Sequence, residues 1–371
     1  MGNDKSGFHS LFPSQDLSSK FVLVIHGGAG TMQRAGSSPE QRASYNAVLR
    51  ASLQAGYKVL SNGGDALDAT VAAVSVLEDS PLFNAGKGAV FNTAGKNELE
   101  ASVMVSKPPA SHPGLLNSRR AMGVALLTHV KNPCQLAQQL YFSPSLAPHT
   151  FLSGTTAETL GASLGIELVE PDYFWTEHRW KEHRRGLGLP EVIEEPPTNE
   201  QQFPLLDLNP MGTVGAVALD VNGCIAAVTS TGGRTNKLVG RVGDTPIVGC
   251  GFWAEEWEQT GWRRVVRQLT GRSVKRAVGT SGTGNGDYFI RLNTGSEIAR
   301  RMQYLNESVQ DACDYAVEHL RVNGGDGGVV AVDSDGTVAM SLNCAGMYRG
   351  VIDMDGTAKT TIFADEELST N

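Results

Sequence analysis

The chain has 371 residues, 40% of them hydrophobic, with 43 glycines and a formal net charge of -8, enough for one large domain or two average ones. That acidity gives no general attraction to nucleic acid or to anionic membrane, since both demand a basic footprint. Five cysteines, Cys134, Cys224, Cys250, Cys313 and Cys344, form no CxxC pair and leave one over, which speaks against a disulfide framework or a zinc site and for a reducing, cytoplasmic setting. No apolar run reaches the length of a membrane span, and Met1 to Lys20 is a polar tail without a signal-peptide core, so a soluble, unsecreted protein is expected. Gly2 and Ser6 in the opening MGNDKS fit the N-myristoylation pattern, but one acyl chain gives only weak binding and no stable membrane insertion.

In chain order, Phe21 to Ile25 is a short apolar β-rich run ending in His26-Gly27-Gly28-Ala29-Gly30, a strand entering a site or a turn. Ser38-Pro39-Glu40-Gln41 has capping-box spacing, and the amphipathic pattern through Val59 predicts a helix that Asn62-Gly63-Gly64 stops. A second helix is expected from Asp65 to Leu77. Lys181 to Pro210 is charged, contains Glu194-Glu195-Pro196-Pro197 and carries no regular period, which reads as a flexible linker. Two hairpins follow, Thr213 to Ser230 about Asn222-Gly223 and Gly328 to Leu342 about Asp335-Gly336. Between them Tyr288 to Arg291 reads as a strand.

The linker ends just before the strand beginning Thr213-Val214-Gly215-Ala216. A long mobile segment running into a buried-type strand is unusual. Either it is a surface insertion, or the chain is cut there and the upstream end must move away. Thr is β-prone, so a structural role for Thr213 is the default. A threonine freed at its N-terminus, however, carries its own base, an α-amine with a pKa of about 7.7 to 8. It then needs no histidine, and the eight histidines are scattered, with no HExxH in the chain. Antiparallel pairing returns Thr229-Ser230-Thr231-Gly232-Gly233 to the start of the Thr213 strand, where Thr231 would orient the nucleophile. In Gly240-Arg241-Val242-Gly243-Asp244 a guanidinium and a carboxylate suit the α-carboxylate and α-ammonium of a bound amino acid, although surface Arg/Asp pairs are common. Ser281-Gly282-Thr283-Gly284-Asn285-Gly286-Asp287 lacks the Walker lysine. It is read in preference as an oxyanion hole made of the Thr283 hydroxyl and the Gly284 amide.

These segments, GTVGAVALD at 212 to 220, TSTGG with TNK at 229 to 237, GRVGDTP at 240 to 246 and GTGNGDYFIR at 282 to 291, resemble the plant-type L-asparaginase and isoaspartyl-peptidase branch of the N-terminal-nucleophile hydrolases. FNAGKGAVFNT at 83 to 93 and NCAGMYRG at 343 to 350 extend the likeness over most of the chain. The resemblance implies an α+β fold, a four-layer αββα sandwich, in which 21 to 212 and 213 to 371 are the α-subunit and β-subunit parts of one hydrolase domain. It implies cutting between Gly212 and Thr213, hydrolysis of side-chain amides by Thr213 with help from Thr231, and support of the nucleophile by Asn84. Arg241, Val242, Gly243 and Asp244 would hold the substrate together with Thr283, Gly284, Asn285 and Gly286. No cofactor is expected for catalysis. By the same likeness a structural sodium would sit on main-chain carbonyls of Leu77, Glu78, Ser80, Phe83, Ala85 and Lys87, and the mature unit would be a dimer of αβ heterodimers.

The sequence departs from the family pattern in places. Arg234 stands where relatives usually have methionine, Val105 to Arg120 looks inserted, and Trp262 to Arg276 is rich in arginine. The last reads as a solvated surface insertion rather than a nucleic-acid contact, because no aromatic beyond Trp262 interleaves the charges. Gly249 to Glu255 resembles the threonine aspartases, but an endoprotease would have no free α-ammonium for Asp244 to hold. Glycosylasparaginases are disfavoured by Thr231-Gly232-Gly233 and by the tail. An unprocessed, non-catalytic homologue is the alternative from another class.

Overall fold

The computed structural model describes residues 20–30, 32, 34, 37–190 and 212–370. The acylation pattern at Gly2 and Ser6 and residues 191–210 of the expected linker lie outside the described residues. In chain order the strands are β1 (Val22–Gly30), β2 (Leu99–Val105), β3 (Ala121–Leu127), β4 (Phe151–Ser153), β5 (Val214–Leu219), β6 (Ile225–Thr231), β7 (Phe252–Glu258), β8 (Lys275–Gly284), β9 (Gly327–Asp333), β10 (Val338–Leu342), β11 (Gly346–Asp353) and β12 (Lys359–Phe363). The helices are α1 (Pro39–Ser61), α2 (Ala66–Glu78), α3 (Pro133–Phe142), α4 (Gly154–Ser163), α5 (Glu177–Gly186), α6 (Gly261–Leu269), α7 (Gly286–Leu292), α8 (Thr294–Arg300) and α9 (Val309–Val322). One sheet has the order β12-β11-β1-β5-β6-β2-β3-β4 and the other β10-β9-β8-β7. Among the described strand pairs, β3–β4 alone is parallel.

Period-two alternation explains how the sheets meet. Leu23 and Ile25 of β1 and Ala216 and Ala218 of β5 join a core with Leu49 and Leu53 of α1 and Val74 of α2. Their neighbours Val22, Val24, Val217 and Leu219 point the other way, into a cluster with Ala277, Val330 and Val332 of the smaller sheet. Both faces of these strands are therefore buried, which is why they read as unbroken apolar runs. On the far side of the smaller sheet, Val278, Val329 and Ala331 pack with Ile298 of α8 and Ala316 and Leu320 of α9.

Local signals account for most elements. The capping box is formed, with Ser38 accepting from the Gln41 amide and Gln41 reaching back to Ser38. The predicted second helix and both hairpins are present as α2, β5–β6 and β9–β10, although the two hairpins fall in different sheets. His26-Gly27-Gly28-Ala29-Gly30 continues β1 through a bulge between His26 and Ala29 rather than leaving it as a turn, with Gly28 at a φ of 116°. All five cysteines are free, four of them buried. Among the described residues no helix is long and apolar enough to cross a membrane.

Two expectations need correction. Tyr288 to Arg291 is not a strand but lies in helix α7. The Asn285 amide is tied to the Asp326 carbonyl at 2.8 Å and the Tyr288 amide closes a turn on the Asn285 carbonyl at 3.0 Å, so the chain coils at once after β8. Phe289 alone of Tyr288-Phe289-Ile290 is fully buried, so the β-prone triplet has no sheet face to join. The linker also begins later than Lys181, since α5 runs to Gly186. Thr176 caps it by accepting from the Arg179 amide, and Arg179, 2% exposed, donates from Nε to the Gly88 carbonyl at 2.9 Å. Its charged sequence concealed a helix anchored by a buried arginine.

Of the departures, the 105–120 segment ends β2 and then loops over the start of α2, where the Asp65 carboxylate accepts from the Ala110 and Ser111 amides. The arginine-rich segment forms α6, none of whose residues is buried, before Lys275 and Arg276 begin β8.

Candidate active site

The Gly212–Thr213 junction lies at the edge where the two sheets meet. Thr213 is 7% exposed, and its carbonyl accepts from His26 Nδ1 at 2.9 Å. A carbonyl can only accept, so Nδ1 carries the proton and Nε2 must accept from Ser281 Oγ at 2.7 Å. Ser281 Oγ in turn lies 2.8 Å from Thr229 Oγ1. Burial drives His26 down to about 3, so the ring is neutral and this tautomer is fixed. A Cβ on Gly215 would stand 2.1 Å from Ser281 Oγ and 2.4 Å from His26 Nε2, so the glycine in TVGAV is what lets this pair meet.

Val214 pairs with Ser230, and extending that register by one residue sets Thr231 opposite Thr213. The Thr231 hydroxyl accepts from the Gly233 amide at 2.9 Å and donates to the Asn84 carbonyl at 3.4 Å. Asn84 Nδ2 donates to the Gly233 carbonyl at 2.7 Å, so Asn84 grips the turn after Thr231 rather than Thr213 itself. Arg234, next in the chain, is exposed. On the other side of the junction, a Cβ on Gly212 would lie 2.5 Å from Thr283 Oγ1 and 2.4 Å from Gly28 Cα. Thr283 Oγ1 accepts from the Ala29 amide at 3.2 Å. Gly212, Thr213, Thr231, Thr283 and, through its neighbour, Gly284 are thus brought together.

Arg241 and Asp244 do not pair with each other. Arg241 Nη2 meets Asp287 Oδ1 at 3.0 Å, and Asp244 is 6% exposed. They converge instead on Gly286, where a Cβ would lie 2.2 Å from Asp244 Oδ1 and 3.4 Å from Arg241 Nη2. The gap between an anion and a cation there has the polarity of a zwitterion's backbone end. Burial pushes the Asp244 carboxyl up to about 7. Gly243 turns inward, whereas Val242 and Asn285 are half-buried. Residues 283 to 286 join this gap to the Gly212–Thr213 junction.

The sequence reading missed the supports of this loop. Glu98 accepts from the Gly240 amide at 3.0 Å, and the fully buried Glu100 accepts from the Gly243 amide at 3.0 Å. Lys237 Nζ lies 3.8 Å from Glu100 and donates to the Glu98 carbonyl at 2.6 Å. Desolvation moves Glu100 up and Lys237 down, and the attraction between them opposes both shifts. Glu100→Ala would leave the Gly243 amide without its acceptor and Lys237 without this counter-charge. The expected result is a loss of about 3 kcal/mol in stability, read by thermal unfolding, together with a raised KM. The available signal was two acids running into the apolar ASVMV stretch.

The loop of Leu77, Glu78, Ser80, Phe83, Ala85 and Lys87 is wound tightly on itself. A Cβ on Gly86 would lie 2.3 Å from the Glu78 carbonyl oxygen and one on Gly88 2.1 Å from that of Phe83. The Glu78 carboxylate is turned away to the Cys134 amide at 3.0 Å, and Lys87 Nζ sits over the Tyr173 ring. What the glycines leave room for is main-chain oxygen, a donor type that suits a hard cation.

The asparaginase family profile matches residues 19–260 and 271–362. The chain is similar to an isoaspartyl peptidase of Salmonella typhimurium, 40% identical over 331 residues, or 89% of this chain and 94% of that one. It is also similar to an isoaspartyl peptidase of Escherichia coli, 39% identical over 348 residues, or 94% and 97% of the two chains. A plant-type L-asparaginase of Pyrobaculum calidifontis is 35% identical over 333 residues, covering 89% and 96%. Fold, junction and matches together define an amidohydrolase. The chain belongs to the asparaginase family.

Proposed function

We propose that the chain is an autoprocessing amidohydrolase, with Thr213 as nucleophile, that hydrolyses L-asparagine to L-aspartate and ammonia and the isopeptide bond of β-aspartyl dipeptides. The observation that carries this reading is the Gly212–Thr213 junction, held between Thr231 and Thr283 with its carbonyl fixed by His26. Two of the similar proteins are named isoaspartyl peptidase and a third L-asparaginase. The succession of helices, large sheet, small sheet and helices supports the four-layer αββα sandwich of the N-terminal-nucleophile hydrolases, divided at Gly212 into α- and β-subunit parts.

In the uncut chain the Thr213 hydroxyl attacks the Gly212 carbonyl, the Gly212–Thr213 amide bond breaks as the ester forms and so frees the Thr213 amine, and water then hydrolyses the ester to release the Gly212 carboxylate and restore the Thr213 hydroxyl. That amine then takes the hydroxyl proton as Oγ1 attacks the substrate's side-chain carbonyl. Arg241 holds the substrate α-carboxylate, exchanging it against Asp287, and Asp244 holds the α-ammonium. Val242, Gly243, Asn285 and Gly286 form the walls. The Thr283 hydroxyl and Gly284 amide take the tetrahedral oxyanion, contributing a few kcal/mol. Collapse expels ammonia or the peptide amine, and water releases aspartate. Thr231, steadied by Asn84, orients Thr213.

No cofactor enters these steps. A sodium ion on the carbonyls of Leu77, Glu78, Ser80, Phe83, Ala85 and Lys87 would stiffen the loop that carries Asn84. The exposed Leu238 and Val239 beside the Arg241 loop support a dimer of αβ heterodimers. The five free thiols support a cytoplasmic setting.

The test is aspartate release from L-asparagine and from a β-aspartyl dipeptide, and turnover of neither would overturn the reading. The pH profile follows from Asp244. Its carboxylate must be ionised to hold an ammonium, and burial raises its pKa to about 7, so binding is present above that pH and lost as pH falls through it. KM for asparagine is therefore expected to rise towards about tenfold per pH unit below that point. Asp244→Asn should show a high KM without this slope. The Thr213 amine, with an ordinary pKa of about 7.7 to 8, must be neutral to act as base and lowers kcat over a neighbouring range.

A further inference from the structure

Residues 261–270 fall between the two stretches matched by the family profile, and they contain the whole of α6. Beneath this helix is a cleft of about 380 Å³, bounded by Gln259, Trp262, Arg263, Arg267, Arg272 and Arg276. It lies where β8 and β9 begin and end away from the junction. Arg276 and Thr283 are seven residues apart on β8, or roughly 23 Å at the rise of a strand. The cleft is therefore separate from the candidate active site.

Charge in the cleft is unevenly satisfied. Its three acids are engaged: Glu307 with Arg301 at 2.5 Å, Asp335 with Arg267 at 3.3 Å, and Asp333 with the amides of Asp335 and Thr337 at 2.9 Å. Among the described residues Arg263, Arg272 and Arg276 form no ion pair. Arg263 and Arg276 make long bonds of 3.4 Å, to the Tyr304 carbonyl and to Asn306 Oδ1, and lie over the Trp262 and Trp257 rings at 6.0 and 5.7 Å from the centroids. Gln259 is 3% exposed, yet its carboxamide nitrogen has no hydrogen-bond partner. A buried donor left unpaired is costly, and burial weakens the Arg276 charge although Asp333 and Asp335 attract it from beyond ion-pair distance. At the rim Trp262 is 70% exposed, with the Arg263 guanidinium 6.0 Å from its ring centroid.

We propose that this cleft is a binding site for a nucleoside phosphate, with the phosphate on Arg263, Arg272, Arg276 and the Gln259 amide and the base stacked on Trp262. Guanidinium groups hold phosphate oxygens bidentately, and a purine or pyrimidine face is matched by an indole. The volume falls within the range of about 300 to 1,000 Å³ usual for small-molecule sites. The engaged acids and the chain's net charge of -8 oppose a longer polyanion such as RNA.

Calorimetric titration at fixed low ionic strength with AMP, ATP, ribose 5-phosphate, inorganic phosphate and poly(U) tests the assignment. AMP or ATP should bind at least tenfold more tightly than ribose 5-phosphate or inorganic phosphate. The double variant Arg263→Gln/Arg272→Gln, both outside the core, should weaken that binding tenfold or more with an unchanged unfolding temperature. Trp262→Ala should weaken AMP while leaving inorganic phosphate as it was. The proposal is overturned if no nucleotide binds, if the double variant binds as tightly as the parent, if AMP shows no advantage over phosphate, or if poly(U) outcompetes AMP.

Discussion

A Thr213→Ala chain is expected to stay in one piece and to lose hydrolysis of both asparagine and β-aspartyl dipeptides by roughly ten-thousandfold or more. The same hydroxyl is assigned to both reactions, so one substitution should abolish both. Folding should survive. The contact that fixes this residue is made by its carbonyl with His26, and alanine retains that carbonyl. Val214 to Leu219 still pair with β1 and β6. Intact mass before and after incubation reads the cut, and aspartate release reads the turnover. Thr213→Ser, which keeps a hydroxyl, should recover part of both. An alanine variant that still processed or turned over at the parental rate would remove Thr213 from the mechanism.

Gly286→Ala should give the opposite pattern, a chain that is cut normally but binds substrate poorly. The added Cβ would lie 2.2 Å from Asp244 Oδ1 and 3.4 Å from Arg241 Nη2, filling the gap in which the substrate's backbone end is assigned. Hydrogen bonds to charged groups contribute about 1.5 to 3 kcal/mol each. Losing the two assigned here should raise KM by roughly a hundredfold or more. The Gly212–Thr213 junction is contacted by His26, Thr283 and Gly28, whereas the atoms nearest this methyl belong to Asp244 and Arg241, so processing should be unaffected. Parental KM would show that the gap between Arg241 and Asp244 is not where substrate sits. Failure to process would show that the two halves of the site are coupled.

Parts of this arrangement were readable in the sequence because they rest on short-range rules. The capping box at Ser38, the hairpin about Asn222-Gly223 and the return of Thr231 beside Thr213 each follow from a few neighbouring residues. Other parts depend on contacts between distant segments, and composition misled there. Nothing local to Glu98 and Glu100 names the Gly240 and Gly243 amides as their partners. Residues 181–186 look like linker because their charges give no hint that Arg179 is buried against Gly88. Tyr288-Phe289-Ile290 has strand chemistry but follows a glycine-rich segment that coils as soon as Asn285 bonds to Asp326. Arg241 and Asp244 both border the space at Gly286, yet no spacing rule could have supplied Asp287 as the partner of Arg241. His26 reads in the sequence only as the head of a glycine-rich segment, because an isolated histidine carries no pattern. Its importance appears only with Ser281, 255 positions away in the chain.

The most direct measurement is intact mass and N-terminal sequencing of the purified full-length chain, taken on the same sample that is assayed for aspartate release. The account predicts two polypeptides in equal amounts, one ending at Gly212 and the other beginning with a free Thr213, with activity rising as they form. A single uncut chain that hydrolyses asparagine or a β-aspartyl dipeptide at full rate would contradict it.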